Sequence, residues 1–383
     1  MKIAMVTGSF PPQPCGIGDY TERLVAELRR HEMEIDVITT WAGQPRPAGS
    51  TQREVQDWKL STWKRAVGEM CGQGYDLVHI QYPARFYGYR PDLALLSLIV
   101  KRGMPGIPIV ATFHEYIVTH WLRKLTVGAI AAPLDAVILT ADSERVVIEK
   151  TMPWLRRRIR VVQMANTIPT IVLLADQRET LRAAWGMAPG EMAIVHFGFV
   201  HPNKGVERLF ESFAAFHARH PGARLVMLSL LEVETNPFHA YVRDLAVSLG
   251  INRAIVWKGF LPGEEVAQHL AAADIGLFPY QDGVTLRRLS FLSAMSHGLP
   301  VISTTGHAGD RSIGLLDGVN VSLLPAESRP DLFAARLEDL AGDKTKRMSM
   351  GTAARAWAAP FQWDSVIGAL REVYNAVLQG KRK

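Results

Sequence analysis

The chain has 383 residues, 48% of them hydrophobic and 21% charged, so it is globular and long enough for two domains. No apolar run approaches the ~20 residues that span a bilayer. We expect no signal peptide, because Met1 leads directly into an apolar, strand-like run. The two cysteines, Cys15 and Cys71, lack the spacing of a metal site and suit a reducing cytosol. The formal charge of +6 could attract anionic substrates, a lipid surface or nucleic acid, but without a nucleic-acid-binding signature we rank phosphate-bearing small molecules first and acidic membrane second.

Strands alternate with helices through the first half of the chain. The predicted strands are Lys2–Thr7, Glu34–Thr39, Asp76–Gln81, Ile109–Phe113, Asp135–Thr140 and Arg160–Met164. Helical patterns lie between them, one ending at Arg30 and the others over Thr62–Cys71, Pro91–Arg102, His120–Ala131 and Ser143–Thr151. This alternation predicts a parallel sheet covered by helices on both faces.

The same pattern restarts in the second half. The predicted strands are Met192–Phe199, Arg224–Ser229, Ala254–Lys258, Asp274–Pro279, Pro300–Thr304 and Val319–Leu323. The predicted helices are Gly205–His217, Phe238–Leu249, Glu264–Ala273, Leu332–Leu340, Lys346–Ala358 and Trp363–Leu378. The sequence therefore predicts an α/β protein with two facing Rossmann-like, doubly wound parallel-sheet domains, over residues 1–170 and 171–360. Ligands of such sheets bind beyond the carboxyl ends of the strands, so we expect a cleft between the domains.

Residues 278–306 carry the strongest prediction of a ligand site. A strand breaks at Asp282-Gly283, and a helix with Thr285 as its N-cap is predicted to follow. Its apolar face comprises Leu286, Leu289, Leu292 and Met295. Arg287 and Arg288 in the first turn suit phosphate oxygens, and a helix N-terminus favours anions. We interpret this stretch as a diphosphate site; a solvated helix start is the alternative.

A glycine pair follows the first predicted strand of the first half, and a loop that contains a lysine follows the first predicted strand of the second half. Gly16 and Gly18 permit close approach of a ligand, although the spacing lacks a third glycine and argues against a dinucleotide site. Lys204 stands beside Gly205 at the end of a loop that opens at Gly198, a suitable place for phosphate. A plain tight turn and a solvated lysine are the respective alternatives.

Three further segments are candidates for substrate or surface contacts. His114 closes the fourth predicted strand, where it could hydrogen-bond sugar hydroxyls and titrate near neutral pH, or could be a satisfied core residue. The loop aromatics and arginine, which include Tyr82, Arg85 and Tyr87, could stack on acceptor sugars or pack beneath the loop. Residues 154–160 (WLRRRIR) form a basic cluster that suits a solvated surface or a membrane contact.

Together these motifs resemble family 4 glycosyltransferases of the GT-B fold. The likeness includes the opening strand with its Pro-Pro and glycine loop, the Gly-x5-Lys-Gly turn from Gly198, Gly259–Pro262 with Glu264-Glu265, Ala273-Asp274, and Ala294–Val301. A tryptophan-bearing final helix completes it, and the resemblance implies that residues 361–383 pack back onto the N-terminal domain. It also implies an acceptor-binding N-terminal domain and a nucleotide-sugar-binding C-terminal domain.

The chain departs from the family pattern at three positions. Phe199 replaces the usual arginine after the loop glycine, and Thr285 and Ser293 occupy the positions of the usual glutamate pair. A subset of similar sequences carries the Asp-Gly-x-Ser/Thr-x-Arg-Arg-x-Ser pattern found here from Asp282 to Ser290. We hypothesise that Arg287 or Arg288 replaces the missing arginine and that Asp282 holds a sugar hydroxyl. The resulting donor-site prediction comprises Gly16, Gly18, Lys204, Asp282, Gly283, Thr285, Arg287, Arg288 and Ser290.

The resemblance implies transfer of a sugar from a UDP- or GDP-sugar to an acceptor hydroxyl, with retention of anomeric configuration and without a metal or other cofactor. His114, Lys204 and Arg288 are the predicted catalytic residues, and Tyr82, Arg85 and Tyr87 the predicted acceptor contacts. We expect a glycan or lipid-linked acceptor and a cytoplasmic protein with peripheral contact at the inner membrane face, without nucleic acid. The alternatives are a sugar-nucleotide epimerase, a non-catalytic sugar-nucleotide-binding protein and a membrane-surface subunit.

Overall fold

The computed structural model describes residues 1–11, 15–40, 52–82, 87, 91–114, 121–286, 288–306 and 314–381. The chain divides into two compact units. Unit 1 comprises Met1–Met164 with Trp363–Lys383, and unit 2 comprises Ala165–Gln362. Within the described ranges, no helix combines the length and the apolar character needed to cross a bilayer.

The described part of unit 1 contains a seven-stranded parallel sheet with the order β3-β2-β1-β4-β5-β6-β7. Its strands are β1 (Lys2–Thr7), β2 (Glu34–Thr40), β3 (Gln52–Val55), β4 (Leu77–Tyr82), β5 (Ile109–Phe113), β6 (Ala136–Leu139) and β7 (Ile159–Val161). Its helices are α1 (Gly16–Arg30), α2 (Leu60–Met70), α3 (Leu96–Gly103), α4 (Trp121–Ala131), α5 (Asp142–Thr151) and the C-terminal α13 (Trp363–Lys381).

The sheet of unit 1 is buried because its strands are continuous apolar runs. β4 is buried along its whole length, as expected of a central strand with helices on both faces. α1 turns Tyr20, Leu24 and Leu28 inward at helical spacing, and each such burial contributes about 1.5–3 kcal/mol. The start of α13 packs on α1, where the Trp363 ring stacks on Tyr20 with 5.5 Å between ring centroids.

The described part of unit 2 contains a six-stranded parallel sheet with the order β10-β9-β8-β11-β12-β13. Its strands are β8 (Ala193–Phe197), β9 (Arg224–Leu228), β10 (Ile255–Trp257), β11 (Ile275–Phe278), β12 (Val301–Thr304) and β13 (Ser322–Leu324). Its helices are α6 (Ala175–Ala184), α7 (Val206–His217), α8 (Pro237–Ser248), α9 (Gly263–Ala272), α10 (Leu289–Ser296), α11 (Pro330–Gly342) and α12 (Lys344–Ala358).

Both sheets share one order. When the strands of each unit are counted in sequence, six of them run 3-2-1-4-5-6 in both units, and unit 1 adds a seventh at its edge. This arrangement confirms the predicted pair of doubly wound parallel sheets. The order reverses between β1 and β4 in unit 1 and between β8 and β11 in unit 2, and ligands of such sheets bind at that reversal.

Sequence patterning missed two short elements. The strand β3 covers only four residues, QREV, in which charged and apolar side chains are mixed. The helix α6 follows the predicted domain boundary, where no helix was predicted, and its sequence, ADQRETLRAA, has few apolar residues to mark a buried face.

Candidate functional site

The lysine loop of unit 2 is fixed against the end of β11 at the reversal of strand order. Gly205 has a left-handed backbone with φ +69°, and a Cβ atom there would lie 1.9 Å from the carbonyl oxygen of Pro279. Only glycine therefore allows the loop to approach this closely. The backbone N–H of Gln281 also donates to the carbonyl of Asn203 at 3.2 Å. These contacts hold Lys204 beside the segment that follows β11.

The segment after β11 crosses to β12 before its helix begins. Gly283 has φ +81°, and a Cβ there would lie 2.3 Å from the Thr305 carbonyl oxygen. The next residue, Val284, is buried and donates its N–H to the Thr304 carbonyl at 3.0 Å. This pinning explains why the predicted helix start was wrong: α10 begins at Leu289 with Arg288 as its N-cap residue. Thr285 instead accepts, through its carbonyl, a hydrogen bond from the Arg288 N–H at 3.0 Å.

Two cations share one aromatic ring in this site. The Arg288 guanidinium carbon lies over the Tyr280 ring, 4.5 Å from its centroid, and Lys204 Nζ lies over the same ring at 5.4 Å. Tyr280 is fully buried, and its hydroxyl is 3.0 Å from the Ser290 hydroxyl. Arg288 forms an ion pair with Asp282, and its side chain is only 11% exposed. The site thus holds two positive side chains against one carboxylate.

Burial makes the charge on Lys204 costly. Desolvation, followed by repulsion from Arg288, lowers the pKa of Lys204 to about 8, and attraction to Asp282 offsets only part of this shift. An anion placed between Lys204 and Arg288 would stabilise the protonated amine and raise its pKa. The electrostatics of the site therefore favour an anionic ligand.

A cavity of about 510 Å³ adjoins these cations within unit 2. It is lined by Thr167, Ile168, Phe197, Gly198, Phe199, Lys204, Leu228, Ser229, Leu230, Gly259, Phe260, Leu261, Gly263, Val266, Arg288, Leu289 and Ser290. Among these described residues none is acidic. Phe199 and Phe260 are 75% and 80% exposed, so two exposed aromatic rings and two cations line a largely apolar cavity. This combination suits a ligand with a flat apolar group and an anionic group.

Ser293 does not reach this cavity. Its side chain is fully buried, and its hydroxyl lies 2.7 Å from both the Asn166 side-chain oxygen and the Leu289 carbonyl. The position at which the resemblance leads us to expect a glutamate therefore serves packing within unit 2.

The structure brings together the predicted donor residues of unit 2, namely Lys204, Asp282, Gly283, Thr285, Arg288 and Ser290. Tyr280, whose ring lies beneath both cations, was missed; its signal was an aromatic residue two positions after the end of β11 and two positions before Asp282. Arg287 lies outside the described residues. The roles of these residues toward a ligand stay predictions.

Gly16 and Gly18 lie in unit 1 and form the first turn of α1 rather than a loop. Neither glycine has a positive φ. Gly18 instead permits close packing, since a Cβ there would lie 3.2 Å from the Ser9 hydroxyl, whereas a Cβ at Gly16 would meet nothing within 4 Å. The Cys15 sulfur caps the helix by accepting from the Gly18 N–H at 3.4 Å.

His114 stands directly after β5, but it does not titrate near neutral pH as expected. Its side chain is buried, and burial lowers its pKa to about 4. Its Nε2 lies 2.8 Å from the Gln81 side-chain oxygen, and its ring packs edge-on against Tyr20. His114 is therefore a neutral imidazole at physiological pH.

The predicted acceptor contacts Tyr82 and Tyr87 belong to the core of unit 1, which corrects the expectation that they stack on acceptor sugars. Both are buried, and their rings stack with 5.8 Å between centroids. The Tyr87 hydroxyl donates to the Gln81 carbonyl at 2.8 Å. Both tyrosines are therefore buried side chains of unit 1, while Arg85 lies outside the described residues.

Comparison with known proteins identifies a family model and two relatives that match this chain. Residues 191–343 match the family model described as Glycosyl transferases group 1. Over 100% of this chain and 99% of the relative, the sequence is 26% identical to the GDP-mannose-dependent alpha-(1-6)-phosphatidylinositol monomannoside mannosyltransferase of Mycolicibacterium smegmatis. Over 52% of this chain and 44% of the relative, it is 29% identical to the D-inositol 3-phosphate glycosyltransferase of Nocardia farcinica.

Solved structures show the same fold at low sequence identity. The sucrose-phosphate synthase of Thermosynechococcus elongatus superposes with a TM-score of 0.73 at 18% identity, covering 99% of both chains. The Anabaena protein HepE in complex with UDP and glucose superposes with a TM-score of 0.74 at 16% identity, covering 98% of this chain and 100% of the other.

Proposed function

We propose that this chain, a family 4-like glycosyltransferase with the GT-B fold, transfers a sugar from a UDP- or GDP-sugar to an acceptor hydroxyl with retention of anomeric configuration. The observation that carries the proposal is the pair of cations, Lys204 and Arg288, over the Tyr280 ring beside an apolar cavity. A nucleotide sugar has the complementary features, namely a flat base and a doubly charged diphosphate.

The proposed chemistry needs stabilisation of a leaving anion. The bond between the anomeric carbon and the diphosphate oxygen breaks, and negative charge grows on that oxygen. Lys204 and Arg288 would offset this charge from positions fixed before the reaction, which is the kind of effect that gives large rate accelerations. The acceptor hydroxyl forms the new bond on the same face of the sugar, and its proton passes to the departing oxygen.

Asp282 has a defined place in this proposal. Without donor it neutralises Arg288 through the ion pair. When the diphosphate binds, the guanidinium gains a second anionic partner with bidentate geometry. The carboxylate of Asp282 can then accept from a hydroxyl of the donor sugar, as hypothesised from the sequence.

The relatives support the substrate classes. The mycobacterial relative is named for GDP-mannose as donor and for a phosphatidylinositol monomannoside, a glycolipid, as acceptor. The Anabaena protein binds UDP and glucose. We therefore propose a UDP- or GDP-hexose donor and a glycan, glycolipid or lipid-linked acceptor.

The proposal includes no metal ion, because the two cationic side chains would supply the charge that the diphosphate requires. Chelation with EDTA should leave the transfer rate unchanged. Loss of activity in EDTA with recovery on adding Mg²⁺ would contradict this part of the proposal.

Peripheral contact with an anionic membrane is proposed through residues 154–160 of unit 1. Trp154 is 57% exposed, and Arg156 and Arg157 beside it are exposed. Tryptophan and arginine together favour the interface of an anionic bilayer. Trp154→Ala with Arg157→Ala should lower the fraction that sediments with phosphatidylglycerol vesicles, whereas Arg253→Ala, an exposed site in unit 2, should not.

A donor panel tests the function as a whole. Thermal shift with UDP, GDP and ADP identifies the base, and the matching nucleotide sugars are then incubated with and without acceptors. The proposal predicts release of free nucleoside diphosphate that depends on acceptor, with the product anomer matching the donor. Change of the donor sugar without acceptor would indicate an epimerase, and nucleotide binding without release under any acceptor would indicate a binding protein.

A further inference from the structure

The aromatic ring beneath the two cations of unit 2 is fixed from several directions. Tyr280 is fully buried. Its backbone carbonyl accepts from the Thr304 hydroxyl at 2.6 Å, and its N–H donates to the Phe278 carbonyl at 2.9 Å. Its ring packs near that of Phe278 with 6.0 Å between centroids, and its hydroxyl lies 3.0 Å from the Ser290 hydroxyl. The position of the ring is therefore set before any ligand binds.

Both cations lie close enough to this ring for a cation–π interaction. The Arg288 guanidinium carbon is 4.5 Å and Lys204 Nζ is 5.4 Å from the ring centroid, inside the ~6 Å over which a ring face attracts a cation. Arg288 also pairs with Asp282, whereas among the described residues Lys204 has no ion-pair partner. The Tyr280 ring is thus the contact that the two cations have in common.

An aromatic ring can hold two cations together without neutralising them. The cations repel each other, and this repulsion contributes to the lowered pKa of Lys204. A second carboxylate would offset the repulsion, but it would also compete with an incoming diphosphate for the same charges. A ring attracts cations through its quadrupole and has no net charge. Burial raises the pKa of Tyr280 to about 12, so its phenol stays neutral at physiological pH.

We propose that Tyr280 is a positioning residue whose ring holds Lys204 and Arg288 together at the anion site before the donor binds. This inference rests on the proposed sugar transfer, in which both cations offset the charge on the departing diphosphate. Groups that are already in place need not reorganise as charge develops, so their full attraction acts in the transition state. Tyr280 acts on the reaction only through these two cations.

The ring and the hydroxyl of Tyr280 can be tested separately. The hydroxyl meets Ser290 in the first turn of α10, and Ser290 lines the cavity. Tyr280→Phe removes this polar contact and keeps the ring, whereas Tyr280→Leu removes the ring as well. Because the proposal assigns the positioning to the ring, Tyr280→Phe should behave like the wild type wherever Tyr280→Leu does not.

The contact is tested first by NMR without any substrate. In protein labelled with ¹³C at the Cε of lysine, the Lys204 signal is identified by its loss in Lys204→Arg. Protons that lie over a ring are shifted upfield by the ring current. The proposal predicts an upfield Lys204 Hε signal in the wild type and in Tyr280→Phe, and an ordinary one in Tyr280→Leu. A wild-type signal at the ordinary lysine position would overturn the proposal whether or not the protein transfers sugar.

The same signal reports the pKa of Lys204. The titratable and charged groups that face this amine are Arg288, Asp282, Tyr280 and His196 on β8. A ring that attracts the ammonium favours its protonated form. Replacing Tyr280 by trifluorophenylalanine keeps the shape of the ring but withdraws electron density from its face, so the pKa of Lys204 should fall below its wild-type value of about 8. In Tyr280→Phe it should not change. A pKa that does not fall in the fluorinated protein would refute the cation–π contact.

Kinetics then test the role in the reaction. Tyr280→Leu should lower kcat/KM for the nucleotide sugar at least about tenfold, because a desolvated cation–π contact is lost, and Tyr280→Phe should keep most of it. In the combined Lys204→Ala and Arg288→Ala variant, adding Tyr280→Leu should have no further effect, since the ring acts through these cations. Losses that simply multiply would show that Tyr280 contributes packing alone and would refute the positioning role.

A matched control comes from a second ring of unit 2 that lies beneath an arginine. Phe333 on α11 is fully buried, and the Arg208 guanidinium carbon lies 5.6 Å from its ring centroid. Neither residue lines the cavity. Phe333→Leu should lower thermal stability, as Tyr280→Leu does, without changing kcat/KM or the pKa of Lys204. Equal losses of kcat/KM in the two variants would assign the effect to packing and overturn the proposal. If instead no donor supported transfer, the proposed function would fail, while the NMR result still decided the contact between Tyr280 and Lys204.

Discussion

The two units place opposite kinds of chemistry at the carboxyl ends of sheets with the same strand order. Unit 2 places Lys204 and Arg288 beside an apolar cavity, with one carboxylate, Asp282, paired to Arg288. Unit 1 buries His114 and His79 as neutral groups in a closed network of hydrogen bonds. The same strand order therefore carries a charged side-chain cluster in unit 2 and a neutral, buried hydrogen-bond network in unit 1.

The largest effects should come from removing the cations of unit 2. Lys204→Ala or Arg288→Ala should each lower kcat/KM for the nucleotide sugar by about 10²–10³-fold, the loss typical of one preorganised donor to a growing charge. Steady-state kinetics with saturating acceptor measure this. Arg253→Ala, an exposed arginine of the same unit, is the control. Equal kcat/KM values for all three variants would show that the cations of unit 2 do not stabilise the leaving group.

The close approach of the lysine loop to β11 can be tested by stability. Gly205→Ala should lower the free energy of unfolding by more than about 3 kcal/mol, because its Cβ would collide with the Pro279 carbonyl. Gly250→Ala has a similar left-handed φ of +71° but no neighbour within 4 Å, and should cost about 1–2 kcal/mol. Urea denaturation provides both values, and similar losses for the two variants would argue against the tight contact.

The affinity of unit 2 for a nucleoside diphosphate should depend on pH through the protonation of Lys204. The pKa of Lys204 is lowered to about 8 without ligand, and a bound diphosphate raises it, so binding takes up a proton above pH 8. Affinity should then fall as pH rises above 8, by at most about tenfold per pH unit. Titration calorimetry in buffers of different ionisation enthalpy measures the uptake. Lys204→Arg, always charged, should abolish it; uptake that persists would assign the proton elsewhere.

The same pKa has a consequence for folding. Unfolding returns Lys204 to its ordinary pKa of 10.5, so the folded state binds protons less tightly. The burial of Lys204 therefore lowers the free energy of unfolding by its full amount below pH 8, and this loss of stability diminishes as pH rises from 8 toward 10.5. His114 has the corresponding effect at lower pH, because the core accommodates its neutral form better than its charged form. The free energy of unfolding should therefore decrease as pH falls from 6.5, the pKa of His114 in the unfolded chain, toward 4, its pKa in the folded protein.

The smallest effect should come from the carboxylate of the cationic site. Asp282→Asn removes the ion-pair partner of Arg288 and should tighten binding of the nucleoside diphosphate severalfold. If Asp282 also holds a sugar hydroxyl, kcat/KM for the nucleotide sugar should fall in the same variant. Weaker binding of the diphosphate would show that Asp282 orients Arg288 rather than competing with the ligand.

Much of the fold could be predicted from the sequence, because apolar strands and amphipathic helices alternate with little ambiguity. The lysine loop and the arginine segment were also predictable, since both follow strands that adjoin the reversal of order. The start of α10 was not, because it depends on the pinning of Val284 to Thr304, a contact between residues far apart in sequence. The burial of Tyr82 and His114 was hidden for the same reason: a residue at a strand end has no sequence signal for its depth.

Binding of nucleoside diphosphate against nucleoside monophosphate tests the central claim most directly. Calorimetry should show that the wild-type protein binds the diphosphate of its preferred base more tightly than the monophosphate. The combined Lys204→Ala and Arg288→Ala variant should bind both with equal, weak affinity, because the second phosphate has lost its partners. If the variant kept the preference for the diphosphate, these two cations would not be its binding site.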